Sequence, residues 1–182
     1  LIISQTINEL GSPFVKNFSK KEIKNGFKVF DISQDDNGEI YFAKPGFLMQ
    51  YDGFSWRNYS TKDQSDLRAV LYDDTDHIYT AGIGGFGFWF KNDKGILEYS
   101  SLYFKYPTKK APLLPVFLNI VSANGVIYFQ SFQQIYIYNP NNSELNTVPA
   151  IKGFSKLFSS NDRVFVQDVS IGLFEIIDNQ KK

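Results

Sequence analysis

The stretch VFDISQDDNGEIYFAKPGFLMQYDGFSWRNY, residues 29–59, consists of short apolar and aromatic runs separated by polar turns. Its second run, Ile40-Tyr41-Phe42, returns along the chain as Ile78-Tyr79, Ile127-Tyr128-Phe129 and Val164-Phe165-Val166. The aromatic residues at 41, 79, 128 and 165 are 38, 49 and 37 positions apart. A period near forty residues with about four strands per copy is typical of β-propeller blades.

The repeat divides the chain into a leading segment and four units. We assign the leading segment to residues 1–28 and the units to residues 29–60, 67–102, 117–149 and 154–180. Asn-Gly and Asp-Gly pairs between the apolar runs predict hairpin turns. The sequence therefore predicts an all-β fold of about four propeller blades. We interpret the blades as an arc of a larger propeller rather than a small closed ring, because repeat arrays need complete, capped ends.

The ends of the repeat region and the junction between its second and third units carry four further expectations. The fourth unit has no recognisable fourth strand before the chain stops at Lys182. Residues 13–19 alternate apolar and polar side chains, so we expect them to form a strand that closes a blade and protects its edge. Residues 20–24 predict one helical turn with Ser19 as its N-cap. Three prolines within residues 104–115 predict a surface loop between the second and third units.

Composition excludes several classes of protein. The chain of 182 residues has no cysteine, which excludes disulfides, thiolate catalysis and cysteine metal sites. Its 19 basic residues balance 19 acidic ones, so we expect no nucleic acid binding by this segment. No apolar run approaches the ~20 residues of a membrane span. The start at Leu1–Ser4 is compatible with the remnant of a signal peptide and with an edge strand, and the sequence leaves both open.

Two motifs resemble cofactor or metal sites but have a simpler explanation. Gly82, Gly84 and Gly87 match G-x-G-x-x-G, yet the motif continues as Phe88-Trp89-Phe90, a strand and not a helix, so we expect no dinucleotide cofactor. The acidic turns at 35–38 and 73–76 offer calcium ligands, but the calcium loop pattern is incomplete and Asp is an ordinary turn residue.

The only histidine, His77, lies in a turn, where we expect it to be solvated. One histidine without cysteine supports neither a zinc site nor a Ser-His-Asp triad. We therefore predict no metal, no cofactor and no catalytic residue.

A ligand site, if present, is expected on the face that carries the loops between second and third strands, since loops on a rigid scaffold commonly carry function. The residues we expect there are Lys44, Phe86, Phe132, Gln133 and Asp168. Aromatic rings, amides and a few charges suit sugar rings. The competing interpretation is that these are ordinary exposed loop residues.

Three parts of the chain resemble a known family: GSPFVKNFS (11–19), FDISQDDNGEIYFA (30–43) and LMQYDGFSW (48–56). They are similar to the N-terminal sensor propeller, built from two-component-regulator propeller repeats, of Bacteroidetes-type membrane-spanning signalling regulators. Phe86-Gly87-Phe88-Trp89 also resembles the family's second repeat, and the likeness weakens after residue 100. The resemblance implies a periplasmic sensing segment, often tuned to glycans, with the kinase or helix-turn-helix output elsewhere.

We therefore expect a non-catalytic segment that senses a glycan, another small ligand or a partner as part of a membrane-anchored regulator. Its expected protein partners are other propeller repeats of the same parent chain or a second copy. The alternatives are a plain interaction propeller and a fragment of a carbohydrate-active enzyme. The enzyme would need two converging carboxylates, for which Asp31 and Asp66 at the starts of inner strands are the candidates.

Overall fold

Four antiparallel sheets make up the part of the chain that the structure describes. A computed structural model describes residues 15–23, 28–61, 66–73, 75–103, 114–178 and 180–181. One helical turn, α1, spans Lys20–Ile23. The first sheet contains β1 (Asp31–Gln34), β2 (Ile40–Lys44), β3 (Phe47–Tyr51) and β4 (Trp56–Ser60). The second contains β5 (Leu67–Tyr72), β6 (Ile78–Gly82), β7 (Gly85–Lys91) and β8 (Leu97–Ser101). The third contains β9 (Phe117–Ala123), β10 (Val126–Ser131), β11 (Gln134–Asn139) and β12 (Glu144–Pro149). The fourth contains β13 (Phe154–Ser160), β14 (Arg163–Asp168), β15 (Gly172–Ile177) and β16 (Gln180–Lys181).

The sheets are arranged as propeller blades. In each sheet, consecutive strands are hydrogen-bonded neighbours. The first strands β1, β5, β9 and β13 pack side by side in that order, and β2 and β6 pack against the first strand of the following sheet. Among the described residues, β1 and β13 do not pack together in this way. The predicted all-β propeller is therefore confirmed, with its blades in an open arc.

Acidic side chains build the turns that join first and second strands. Asp35 Oδ1 accepts the backbone N–H groups of the residues two and four positions later, at 3.0 and 2.9 Å. Asp73 Oδ1 does the same in the second sheet, at 3.1 and 3.2 Å. These bonds are the reason for Asp at both positions, because a carboxylate satisfies turn N–H groups. In the described residues, no three His, Asp or Glu side chains are grouped so that they could hold a metal ion.

A separate apolar core fills each of the three spaces between neighbouring sheets. The core between the first two sheets includes Tyr41, Leu67, Ile78 and Trp89. The second core is aromatic, and the third is mostly aliphatic. Each fully buried side chain of this kind contributes roughly 1.5–3 kcal/mol relative to exposure. The apolar side chains whose alternation marked the repeats therefore fill the spaces between blades.

The described N-terminal residues lie against the first sheet. Phe18 packs edge-on against Tyr51 and Trp56, with ring centroids 5.1 Å apart in both pairs. Val15–Ser19 form no strand, so the expected closing strand at residues 13–19 is wrong for 15–19, and residues 13 and 14 lie outside the described residues. The aromatic contacts that partly bury the Phe18 side chain favour this position over a strand edge.

Two other expectations about the ends have clear outcomes. Glu22 Oε2 accepts the N–H and the hydroxyl of Ser19 at 2.6 and 2.7 Å, which confirms the capped turn. The fourth sheet does have a fourth strand, because β16 pairs with β15 through Ile177 and Gln180. No helix in the described part of the chain is long and apolar enough to cross a bilayer. Residues 104–113 of the expected proline-rich loop lie outside the described residues.

Candidate functional site

One face of the arc, here called the upper face, carries the loops between second and third strands and the connections from sheet to sheet. The loops are residues 45–46, 83–84, 132–133 and 169–171. Backbone hydrogen bonds join loops to connections: Ile83 N–H donates to Asp66 O at 3.0 Å, and Val169 N–H donates to Gly153 O at 2.7 Å. The opposite face, here called the lower face, carries the acidic turns. Backbone hydrogen bonds therefore hold the loops and the connections of the upper face together.

Phe86 lies in the core and not on the upper face. It is the second residue of β7, its ring is fully buried, and it stacks on Phe129 with centroids 4.2 Å apart. Phe117 meets the same ring edge-on at 4.9 Å. The loop before β7 has only two residues, so the strand begins sooner than the glycine-rich sequence suggests. The expected exposure of Phe86 is therefore wrong.

Lys44 and Asp168 are also buried, at equivalent positions at the ends of β2 and β14. Loss of hydration lowers the pKa of Lys44. The Asp168 carboxylate accepts the backbone N–H groups of Ile151, Lys152 and Gly153 at 2.7, 2.9 and 3.1 Å. These bonds fix the connection between the third and fourth sheets. The expectation that Lys44 and Asp168 are surface loop residues is therefore wrong, because both are strand residues with buried side chains.

Phe132 and Gln133 are exposed on the upper face, as the sequence suggested. The Phe132 side chain is 54% exposed, and its ring lies over Gly153. A Cβ atom at Gly153 would come within 2.2 Å of Phe132 Cζ, so glycine is required for this contact. The Phe132 carbonyl accepts the N–H of Phe154 at 2.7 Å. Contact with Gly153 therefore holds the Phe132 ring in position, and the rest of the ring is exposed to solvent.

Apolar side chains line a cavity beside this aromatic ring. A shallow cavity of about 230 Å³ is lined by Phe132, Gln133, Ser131 and residues 114–116. Leu114 and Ile151 are exposed on the same face, as are the loop residues Val169 and Ile171. Exposed apolar areas on a protein surface often mark binding sites. The structure thus brings together two of the five expected site residues and adds apolar neighbours that the sequence did not single out.

The glycine motif has a structural explanation. Gly82 ends β6, and a Cβ there would come within 1.9 Å of the Asp66 carbonyl oxygen. A Cβ at Gly87 would come within 2.3 Å of the Ser100 carbonyl oxygen. Both glycines permit backbones to approach closely. The expected inter-strand loop is present, and no helix follows it that could receive a pyrophosphate.

The lower face carries a partly buried polar network between the first and second sheets. Glu39 Oε2 accepts hydrogen bonds from the Tyr41 hydroxyl, Gln50 Nε2 and Lys91 Nζ at 2.9, 2.8 and 3.1 Å. The Tyr41 hydroxyl also lies 3.0 Å from Asp35 Oδ2. Burial and the neighbouring carboxylates raise the pKa of Tyr41. The network joins the first two blades, because Lys91 of the second sheet donates to Glu39 of the first.

The two other lower-face features are a histidine and a cleft. His77 is half-buried, 4.7 Å from Phe88 and 2.8 Å from the Thr75 hydroxyl, and not simply solvated as expected. A cleft of about 340 Å³ lies between the turns of the last three sheets. Asn124 spans it and donates to Asp162 O at 2.9 Å.

The carboxylates named for an enzyme differ in their surroundings. Asp31 accepts the N–H groups of Ile32 and Val70, both at 2.9 Å, and so ties β1 to β5. Asp66 lies 3.8 Å from Arg68 Nη2. Arg68 and its neighbour Lys28 were not singled out from the sequence. In the sequence, the only indication of a role for either residue is that it is a cationic residue close to the start of an inner strand.

Solved structures share this architecture, whereas no protein-family model and no curated protein match the chain. The chain is similar to the extracellular domain of the hybrid two component system BT3049 from B. thetaiotaomicron (14% identity, TM-score 0.69, covering 92% of this chain and 26% of that one). It is similar to the corresponding domain of system BT4673 from the same organism (16% identity, TM-score 0.62, 85% and 20%). It is also similar to virginiamycin B lyase from Staphylococcus aureus (13% identity, TM-score 0.65, 86% and 55%).

These likenesses concern the fold, because all three identities are low. The chain spans about a fifth to a quarter of the two extracellular domains and about half of the lyase. The resemblance to sensor propellers that residues 11–56 suggested is confirmed at the level of structure, since extracellular domains of two-component systems share the blades of this chain.

Proposed function

We propose that the chain is a recognition segment in the periplasmic sensor of a bacterial two-component or transcriptional regulator, and that it binds without catalysing a reaction. Its structural likeness to two extracellular domains of signalling systems supports this proposal. The observation that carries it is the upper face, where Phe132 is held open to solvent by Gly153 beside an apolar cavity. Asp31, half of the carboxylate pair that an enzyme would need, already bonds two backbone N–H groups.

The ligand class that fits this face best is a glycan. A sugar ring presents C–H groups to an aromatic ring and hydroxyl groups to amides. The exposed Phe132 ring and the Gln133 amide offer both on adjacent residues. Binding would act by population shift, because a ligand that prefers one arrangement of the regulator increases the population of that arrangement.

Calorimetric titration with a panel of oligosaccharides tests this function. We expect one class to bind without being consumed, and Phe132→Ala to weaken it roughly 2- to 10-fold, since ring contacts are worth about 0.5–1.5 kcal/mol. The matched control is Phe54→Ala, because Phe54 is 98% exposed in the β3–β4 turn on the lower face. Equal loss in both variants, or conversion of the sugar to product, would contradict the proposal.

The outward face of the fourth sheet is the surface where we place a protein partner. Phe165 occupies the position of Tyr41, Tyr79 and Tyr128, the third residue before the end of the second strand. Those tyrosines all pack into the core shared with the following sheet. Phe165 instead stacks on Phe158 at 5.5 Å. Leu173 on the same face is 59% exposed and Phe158 is 42% exposed.

We assign this face to another propeller sheet of the same parent chain. The equivalent face of each of the first three sheets packs against the sheet that follows it. The isolated chain should then associate through this face at high concentration. Sedimentation velocity should show association that Leu173→Lys abolishes at unchanged melting temperature, whereas Ile96→Lys, on the exposed β7–β8 turn, should leave it intact. A chain that stays monomeric up to millimolar concentration would count against the assignment.

A further inference from the structure

Two cationic side chains share one aromatic ring at the upper, inner edge of the first two sheets. The Lys28 ammonium lies 4.7 Å from the centroid of the Phe30 ring, and the Arg68 guanidinium carbon lies 4.0 Å from the same centroid. The aromatic ring attracts both cations. Two like charges that contact one ring repel one another, and a bound anion would offset this repulsion.

The fold places Arg68 here through a β-bulge. Leu67 pairs with Gly82 and Ala69 pairs with Ala81, which leaves Arg68 as the extra residue at the start of β5. A bulge turns the extra side chain away from the ladder direction. Phe30 precedes β1 and donates its N–H to Ala43 O at 2.9 Å. The bulge and the β1 edge together bring the guanidinium and the ring into contact beside the upper face.

One donor of the Arg68 guanidinium has no hydrogen-bond partner in this position. Its Nε atom is buried without a hydrogen-bond partner. Among the described residues, the carboxylate that pairs with the guanidinium is Asp66, at 3.8 Å from Nη2, which is too long for a hydrogen bond. Asp31, which follows Phe30 in the chain, is already bonded to the N–H groups of Ile32 and Val70. Arginine has five donors, so an anion beside the guanidinium would supply hydrogen-bond acceptors that offset any loss of its contact with Phe30.

We propose that Arg68 and Lys28 form a subsite for an anionic group, a carboxylate or a sulfate, on the ligand of the upper face. This assignment rests on the proposed recognition function and specifies in addition that the ligand carries a negative charge. The guanidinium fork matches the two oxygen atoms of a planar carboxylate, and the ammonium adds a second positive charge without fixed geometry. The Arg68 side chain remains 27% exposed, so part of it is open to a ligand.

Titration with trigalacturonic acid, neutral galactotriose and inorganic sulfate tests the subsite. We expect the wild-type chain to bind the uronic acid, Arg68→Gln to weaken this binding about 10-fold or more, and Lys28→Gln to weaken it less. Binding should also weaken as sodium chloride rises, because salt screens the charges. The matched control is Arg57→Gln, since Arg57 is exposed on β4 and pairs with Asp52 at 3.1 Å. Circular dichroism and the melting temperature of each variant confirm that it folds.

The outcomes separate the subsite from the function. Arg68-dependent binding of the uronic acid supports the subsite. Binding of both sugars that Arg68→Gln leaves unchanged overturns the subsite and leaves the recognition function standing. Arg68-dependent binding of sulfate without binding of either sugar supports an anion subsite and counts against a glycan ligand. Absence of saturable binding by the uronic acid and by sulfate overturns the subsite.

Discussion

Replacing Asp168 with alanine should destabilise the fourth sheet strongly, although the residue lies next to an exposed loop. Its carboxylate accepts three backbone N–H groups in the connection between the third and fourth sheets. Ile151 and Lys152 are exposed, so their N–H groups can find water in the variant. Gly153 is buried and cannot. The substitution thus leaves one orphaned donor and removes three bonds to a charged acceptor.

The expected magnitude follows from these contacts. A buried donor without a partner costs about 1–3 kcal/mol, and a hydrogen bond to a charged group is worth about 1.5–3 kcal/mol. Allowing for hydration of two N–H groups, Asp168→Ala should lower the free energy of unfolding by about 3–5 kcal/mol. Asp168→Asn keeps one oxygen for Lys152 and Gly153 but presents an amide to Ile151, and should cost about 1–2 kcal/mol.

Urea unfolding followed by circular dichroism measures the free energy, and tryptophan fluorescence reports the first two sheets through Trp56 and Trp89. Coincident transitions show that the sheets unfold together. The control is Asp93→Ala, in the exposed β7–β8 turn, which should change stability by less than about 0.5 kcal/mol. If Asp168→Ala were within about 1 kcal/mol of the wild type, the structural role assigned to this carboxylate would be refuted.

Two further predictions concern the first two sheets. Gly82→Ala should lower the free energy of unfolding by about 3 kcal/mol or more in the same urea assay, because its Cβ would meet the Asp66 carbonyl oxygen at 1.9 Å. Gly95→Ala, in an open turn at φ +71°, should cost only about 1 kcal/mol, and equal losses would contradict the close approach. Burial acts to raise the pKa of Glu39, but hydrogen bonds from Lys91, Tyr41 and Gln50 outweigh it and lower that pKa below the usual value. The resulting stability is present above the unfolded pKa near 4.3 and is lost as the pH falls through the folded pKa. Glu39→Gln should therefore lower the melting temperature at pH 7, and a difference that persisted at pH 2 would contradict this role.

The fold was predictable because its signals are local. Asn124-Gly125 and the Asp35 turn mark hairpins by their own chemistry, and the Ile-Tyr pattern marks a strand buried on both faces. Each copy of the pattern supports the others, so one weak repeat did not hide the architecture. The prediction of a closing strand was wrong because Phe18 packs on Tyr51 and Trp56, and both of these aromatic partners are distant in sequence.

The candidate site was less predictable because it depends on register. Phe86 follows a glycine-rich loop, and only the pairing of Gly82 with Gly85 shows that the loop is two residues long. The exposure of Phe132 depends on Gly153, twenty-one residues away. Arg68 becomes notable only once the bulge between β5 and β6 is known. Such features depend on long-range pairing, which no single stretch of sequence specifies.

The most direct test of a recognition segment that binds without catalysis is one NMR titration of the isotopically labelled chain with a bound oligosaccharide, in which protein and ligand signals are followed together. The account predicts shifts at upper-face amides around Phe132 and Gly153, with the ligand intact after days. Shifts confined to the lower-face turns, or steady conversion of the ligand to product, would contradict it.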